Sequence, residues 1–235
     1  MVLVKICGIK DVESAQVALD AGANLIGMIL VPGKKRTIDH GIAKEITQLV
    51  KSKRFPITSN EFYRSFGGRG DSPKWFEEVS KELKEKGPFS VGVFKDQSIE
   101  EINKLIDELD LDFVQLHGKE NHDDYIPNLK VPTIARFIPD EDNVLDSLKP
   151  NKQILSLFDS EAGGEGIKLN WENLSKWANE NNAKYILAGG LTPENVSEAI
   201  KLNGVIGVDV SGGVETDGVK DHSKIIKFIQ NTRSL

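Results

Sequence analysis

The sequence predicts a (β/α)8 barrel, and three observations carry that prediction. Eight short apolar runs alternate with amphipathic polar stretches, the pattern of successive βα units around a parallel sheet. The runs start near Val2, Asn24, Phe89, Asp112, Val131, Gln153, Lys184 and Gly204. Those starts are spaced by 22, 65, 23, 19, 22, 31 and 20 residues, and six of the seven intervals suit one strand plus one helix. The chain of 235 residues is also of the length at which such barrels remain single domains. A doubly wound open sheet is the structural alternative, disfavoured by eight units with no evident edge strand.

Each element has its own local grounds. In a closed barrel, strands turn alternate side chains inward and helices cover the outside. The first strand sets Val2, Val4 and Ile6 outward, which turns Leu3, Lys5 and Cys7 inward. Asp11 is placed to cap the helix after it. The second strand leads to Lys34-Lys35-Arg36. Such a run is ordinarily a solvated charge cluster, but here it lies in a loop at the catalytic end, where an anion contact is expected.

The interval of 65 marks an insertion, residues 55–88, without which 201 residues remain. It holds Phe55, Phe62, Tyr63, Phe66, Trp75 and Phe76, six of sixteen aromatics, so it is no low-complexity linker. Ser72 as cap, Pro73 at the first position, and Trp75, Phe76, Val79 and Leu83 on one face predict a helix near 73–86. The segment falls between the second helix and the third strand, at the barrel's N-terminal end and away from the active-site end. It is expected to be a packed embellishment or a surface for an unidentified partner, not a lid. Arg69-Gly70-Asp71 within it is expected to be a solvated turn, not an adhesion signal.

The third strand begins near Phe89. The fourth turns Val114 and Leu116 outward and Phe113, Gln115 and His117 inward. On the fifth, Ile134 and Arg136 share a face, and on the sixth Leu155, Leu157 and Asp159 do. Gly189-Gly190 comes after the seventh, and then Thr192-Pro193-Glu194, a cap, a first-turn proline and an early acid that open a helix. The eighth sets Ile206, Val208 and Val210 outward and Gly207, Asp209 and Ser211 inward, and ends in Ser211-Gly212-Gly213.

The inward polar residues therefore collect at the C-terminal ends of the strands, where this fold carries its chemistry. Each has a plain alternative. A free cysteine is commonly a core residue, Asp159 could cap the loop or helix after its strand, and Gln115 and His117 could satisfy each other. Their convergence favours a site, because a polar group in a strand covered on both faces is costly unless paired or used. Lys5 near Cys7 would favour the thiolate. The glycine pairs let backbone amides approach a phosphate, in the loops where this barrel habitually binds one.

Composition excludes several classes. The net charge of -6 and a pI near 5.4 argue against a nucleic-acid surface. The longest apolar run, Leu25–Val31, is far short of the ~20 residues a membrane helix needs. Lys5 and Lys10 interrupt any signal-peptide apolar stretch. A single cysteine permits neither an internal disulfide nor a zinc-type cluster. A cytoplasmic protein is expected.

These residues resemble the phosphoribosylanthranilate isomerase family of tryptophan biosynthesis, most closely its single-function fungal form. The resemblance rests on Val4-Lys5-Ile6-Cys7-Gly8, Lys35-Arg36, Val91–Phe94, Gln115-Leu116-His117-Gly118, Phe158-Asp159 with Gly163-Gly164, Ala188–Val196 and Gly207–Glu215. Residues 55–88 depart from it, being longer than the family's usual connection. The resemblance implies an Amadori rearrangement of an aminoaldose to an aminoketose, without metal or cofactor. It makes Asp159 the general acid and Cys7 the general base, with Arg36 on the anthranilate carboxylate. Asp209 would hydrogen-bond the ribose or order the site, Gln115 and His117 would line it, and Gly189, Gly190, Ser211, Gly212 and Gly213 would bind phosphate. The acid would want a raised pKa and the base a lowered one. Two other readings are a sister barrel such as indole-3-glycerol-phosphate synthase, expected to use lysine and glutamate, and a non-catalytic sugar-phosphate-binding barrel.

Overall fold

The computed structural model describes residues 1–66, 74–150, 152–160 and 169–233. Ser72, Pro73, Arg69-Gly70-Asp71 and Gly163-Gly164 lie outside the described residues. The chain opens with β1 (Leu3–Ile6), α1 (Val12–Ala21), β2 (Leu25–Ile29) and α2 (His40–Ser52). Two helices come next, α3 (Ser59–Arg64) and α4 (Trp75–Lys86), before β3 (Phe89–Phe94) and α5 (Ile99–Leu109). After them lie β4 (Phe113–Leu116), α6 (His122–Tyr125), β5 (Thr133–Phe137), β6 (Leu155–Phe158) and α7 (Trp171–Glu180). The chain ends with β7 (Tyr185–Leu187), α8 (Val196–Ala199), β8 (Val205–Val210), a small hairpin of β9 (Glu215–Thr216) and β10 (Val219–Lys220), and α9 (His222–Asn231).

Strands β1 to β8 pair in chain order and β8 closes on β1, every pairing parallel. Each strand begins within two residues of its apolar run. Local chemistry sets the helix ends. The Asp11 carboxylate accepts from the Ser14 N–H at 2.7 Å, and Gly22, at φ 101°, ends α1. Ser98 and Glu101 form a reciprocal capping box on α5.

One start differs from the sequence expectation. The Thr192 hydroxyl does accept from the Glu194 N–H at 3.3 Å, but α8 begins only at Val196. Asn195 is the reason: its side chain accepts from the Thr192 N–H at 2.8 Å and donates to the Gly190 carbonyl at 2.9 Å. Those bonds hold the intervening turn back against the glycine loop.

Two apolar layers stabilise the barrel. The outer one packs Ile6, Ile26, Val114, Leu116 and Val208 of the strands under Ala15, Ile46, Ile102 and Phe228 of the helices. The inner one joins Leu3, Leu25, Phe89, Phe113, Ile134 and Leu155, near the starts of their strands, to Phe62, Phe66, Trp75, Phe76, Val79 and Leu83. Helices α3 and α4, the described helices within 55–88, thus fill the N-terminal mouth. The Phe62 ring lies 5.2 Å from Phe89 and 6.2 Å from Phe113, and the Trp75 ring sits edge-on to Phe66 at 5.5 Å. Trp75 also donates its indole N–H to the Gln153 carbonyl at 3.3 Å, which satisfies the polar atom of a buried ring. Phe55 is outside this packing and exposed. Just before the segment, the buried Arg54 guanidinium makes two 2.6 Å bonds to Asp112 and lies over the Phe89 ring.

Candidate active site

At the C-terminal mouth the inward positions turn polar. The β1–β8 register sets Lys5 beside Asp209, and their ion pair is 3.0 Å long with Lys5 wholly buried. Burial opposes the Lys5 charge, but Asp209 and Cys7 outweigh it and hold its pKa above the ordinary value. Cys7 comes directly after β1 and donates its N–H to the Val210 carbonyl at 2.8 Å. Gly27 on β2 makes room for it, since a Cβ there would lie 2.8 Å from the Cys7 sulfur and 3.1 Å from Lys5 Nζ.

Burial pushes the Cys7 thiol up, and this overturns the expectation that local positive charge would lower it. Lys5 pulls in the expected direction, as does Lys220, but Lys5 is paired with Asp209, whose charge works the other way. Desolvation of the thiolate wins.

Asp159 stands at the end of β6, buried, and burial raises its carboxyl, the direction expected of a general acid. One oxygen accepts from the Ser160 N–H at 2.7 Å, and the other lies 3.6 Å from His117 Nε2. Burial, reinforced by Arg136, pushes His117 down to about 3, so the imidazole is neutral near neutral pH. Its Nδ1 accepts from the Gln115 amide at 3.1 Å, which leaves the ring proton on Nε2, facing Asp159. This contact is therefore a neutral N–H beside a carboxyl, not an ion pair. Arg136 donates to the His117 and Ser160 carbonyls and ties the ends of β4 and β6 together. Lys5 acts electrostatically on both Cys7 and Asp159.

The glycine loops lie beside them. Gly189 and Gly190 adopt φ of 81° and 69°, the left-handed region that glycine favours. A Cβ on Gly213 would fall 1.8 Å from the Leu191 carbonyl oxygen, so the loops after β7 and β8 are in direct contact. The amides of Gly189, Gly190 and Ser211 donate to no acceptor among the described residues, and the buried Ser211 hydroxyl also lacks a partner there. Unused donors of this kind suit an anion.

Arg36 reaches this mouth from the β2 loop. It donates Nε and Nη2 to the two Glu215 oxygens at 2.8 and 3.1 Å, and its Nη2 lies 3.0 Å from where a Cβ on Gly212 would sit. Glu215 also accepts from Lys220 Nζ at 2.9 Å, and Lys220 donates to the Ser211 carbonyl at 2.8 Å. Sequence reasoning assigned no part in the site to Glu215 or Lys220. They belong to the β9–β10 hairpin, outside any barrel strand, where strand alternation says nothing of direction. The turn at Asp217-Gly218, which folds Lys220 back under the mouth, is the only local signal.

A family model described as N-(5'-phosphoribosyl)anthranilate (PRA) isomerase matches residues 58–231. An N-(5'-phosphoribosyl)anthranilate isomerase of Wickerhamomyces anomalus is 66% identical over 97% of this chain and 98% of its own length. The phosphoribosyl anthranilate isomerase of Thermotoga maritima superposes with a TM-score of 0.74 at 27% identity, covering 100% of both chains. A phosphoribosyl anthranilate isomerase bound to reduced 1-(o-carboxyphenylamino)-1-deoxyribulose 5-phosphate superposes at 0.72 with 27% identity, again over 100% of both chains.

Proposed function

The chain belongs to the N-(5'-phosphoribosyl)anthranilate isomerase family, in its single-function fungal form, and from that premise we infer which residues carry the reaction. The protein is an aldose–ketose isomerase of tryptophan biosynthesis acting on a phosphorylated small molecule. It converts N-(5'-phosphoribosyl)anthranilate to 1-(2-carboxyphenylamino)-1-deoxyribulose 5-phosphate. The observation that supports the site assignment is that Cys7 directly follows β1 and Asp159 directly follows β6, both buried, at the strand ends that also carry the glycine loops.

Asp159 gives its proton to the ribose ring oxygen as the C1–O bond breaks, and the nitrogen lone pair forms an iminium. The Cys7 thiolate then takes the C2 proton. The released electron pair forms the C1–C2 double bond, and nitrogen regains its lone pair. The resulting enolamine tautomerises to the ketone, with protonation at C1. Arg36 holds the anthranilate carboxylate by charge-assisted hydrogen bonds. Gln115 and His117 line the sugar, and the His117 Nε2–H steadies the carboxylate that Asp159 becomes. Asp209 orders the site through Lys5. The amides around Gly189, Gly190 and Ser211 to Gly213 bind phosphate, and positive charge gathered there draws an anionic substrate to an acidic chain.

No helix among the described residues is long and apolar enough to cross a membrane. The inferred compartment is the cytoplasm, with neither nucleic acid nor membrane as partner.

The test is turnover of freshly made substrate, monitored by loss of its anthranilate-type fluorescence. No turnover by the pure protein would sink the assignment of activity. Cys7→Ala and Asp159→Asn are each expected to lower kcat by at least about 100-fold with an unchanged circular dichroism spectrum. A variant within a few-fold of wild type would reassign that residue's role.

A further inference from the structure

We propose that Lys220 is a positioning residue for the phosphate end of the site: it holds the Ser211 carbonyl, and so fixes the Gly212 N–H on the other edge of the same peptide as a preset donor to the substrate phosphate. The inference rests on the reading of the loops after β7 and β8 as the phosphate site. Lys220 owes its place to a hairpin. Asp217 and Gly218, at φ 52° and 78°, form the two-residue turn, and the register sets Lys220 directly opposite Glu215. The hairpin is anchored from behind by the Asp221 carboxylate, which caps α9 and accepts from the Thr216 hydroxyl at 2.7 Å.

The ammonium is enclosed, with 2% of the side chain exposed. It donates to Glu215 Oε1 at 2.9 Å and to the Ser211 carbonyl at 2.8 Å. A buried charge is costly unless it is paired and hydrogen-bonded, and a charge-assisted bond to a carbonyl is stronger than one between neutral groups. Gly8 closes over the clasp: a Cβ there would lie 2.7 Å from Ser211 Oγ and 3.5 Å from Lys220 Nζ. The Ser211–Gly212 peptide is trans, so its plane puts C=O and N–H on opposite edges, and a held carbonyl is a held N–H. The Gly212 N–H donates to no acceptor among the described residues, which leaves it for an anion. A donor fixed beforehand loses less freedom on binding than one ordered by the ligand.

Charge and positioning are separable, because Lys220 would attract a phosphate wherever the loop pointed. Lys220 also acts electrostatically on Cys7, so the experiment reads binding instead of turnover. It measures Kd for the product and for its dephosphorylated form by titration calorimetry in wild type, Lys220→Met and Glu215→Asp. In parallel it measures 15N relaxation of the Gly212 amide in the ligand-free proteins. The ratio of the dephosphorylated form's Kd to the product's Kd isolates the phosphate end from changes elsewhere in the site. The expected result for Lys220→Met is a fall of about 10- to 100-fold in that ratio, the scale of one charge-assisted hydrogen bond. The Gly212 order parameter should drop with it, from about 0.85 to below about 0.6. Glu215→Asp keeps both charges and withdraws the carboxylate from Lys220; it should move both readouts the same way, and serves alone if Lys220→Met does not fold. An unchanged ratio overturns the proposal, and so does a lower ratio with Gly212 still rigid, which would make Lys220 a charge only. A ratio near one in the wild type means instead that the loops do not hold phosphate, and the reading beneath the inference fails.

Discussion

Burial pushes Cys7 and Asp159 the same way, toward their neutral forms, while the reaction asks for a thiolate and a carboxylic acid together. The carboxyl starts far below the thiol, so the prevailing state between their two pKa values is carboxylate plus thiol. The reactive state holds the same single proton on the other partner. Its share of that pair does not change with pH, and the two groups titrate as a unit. A flat kcat/KM plateau is therefore expected, with an acid limb set by Asp159 and an alkaline limb set by Cys7. Each limb belongs to the group whose role would suggest the opposite assignment. The alkaline limb should coincide with the rise of thiolate absorbance in a direct titration. A limb well below that rise would refute the scheme. Strand alternation made the inward set legible at this scale: Lys5, Cys7, Gln115, His117, Asp159 and Asp209 share the mouth. The direction of the Cys7 shift was not legible, because it is decided by how far neighbouring elements exclude water. Glu215 and Lys220 were not legible either, because a hairpin's fold-back depends on tertiary contacts.

Helices α3 and α4 show what one apolar face accomplishes. Trp75, Phe76, Val79 and Leu83 of α4 are all buried, and with Phe62 and Phe66 they cap the interior side chains at the strand starts. That face was legible from helical spacing alone. Its partner surface was not, since Leu3, Leu25, Phe89 and Phe113 become one floor only when the barrel closes. Phe62→Ala is expected to lower unfolding free energy by about 3–5 kcal/mol, measured by denaturant titration, with kcat/KM unchanged at the far mouth. A comparable drop in kcat/KM would mean that the floor shapes the site. The neighbouring Arg54–Asp112 pair carries a similar expectation. Arg54→Met leaves a buried carboxylate whose remaining partners are the Ser90 N–H and hydroxyl. Removing one partner of a buried pair costs about 3–5 kcal/mol, and a melt close to wild type would show that water reaches Asp112.

For the molecule as a whole, eight units, six of whose seven intervals suit one strand plus one helix, sufficed to indicate closure, because a sheet with helices outside and no edge strand has one compact solution at this length. The outlying interval gave the place of residues 55–88 but not the plug that α3 and α4 form. That plug has a consequence for traffic through the enzyme. Among the described residues, aromatic rings close the strand-start end, so substrate and product share the mouth beside the glycine loops and Arg36. Product in residence there blocks arrival. Added product should accordingly inhibit competitively against substrate, raising apparent KM with kcat constant. A noncompetitive pattern would mean that product binds at a place other than the substrate's.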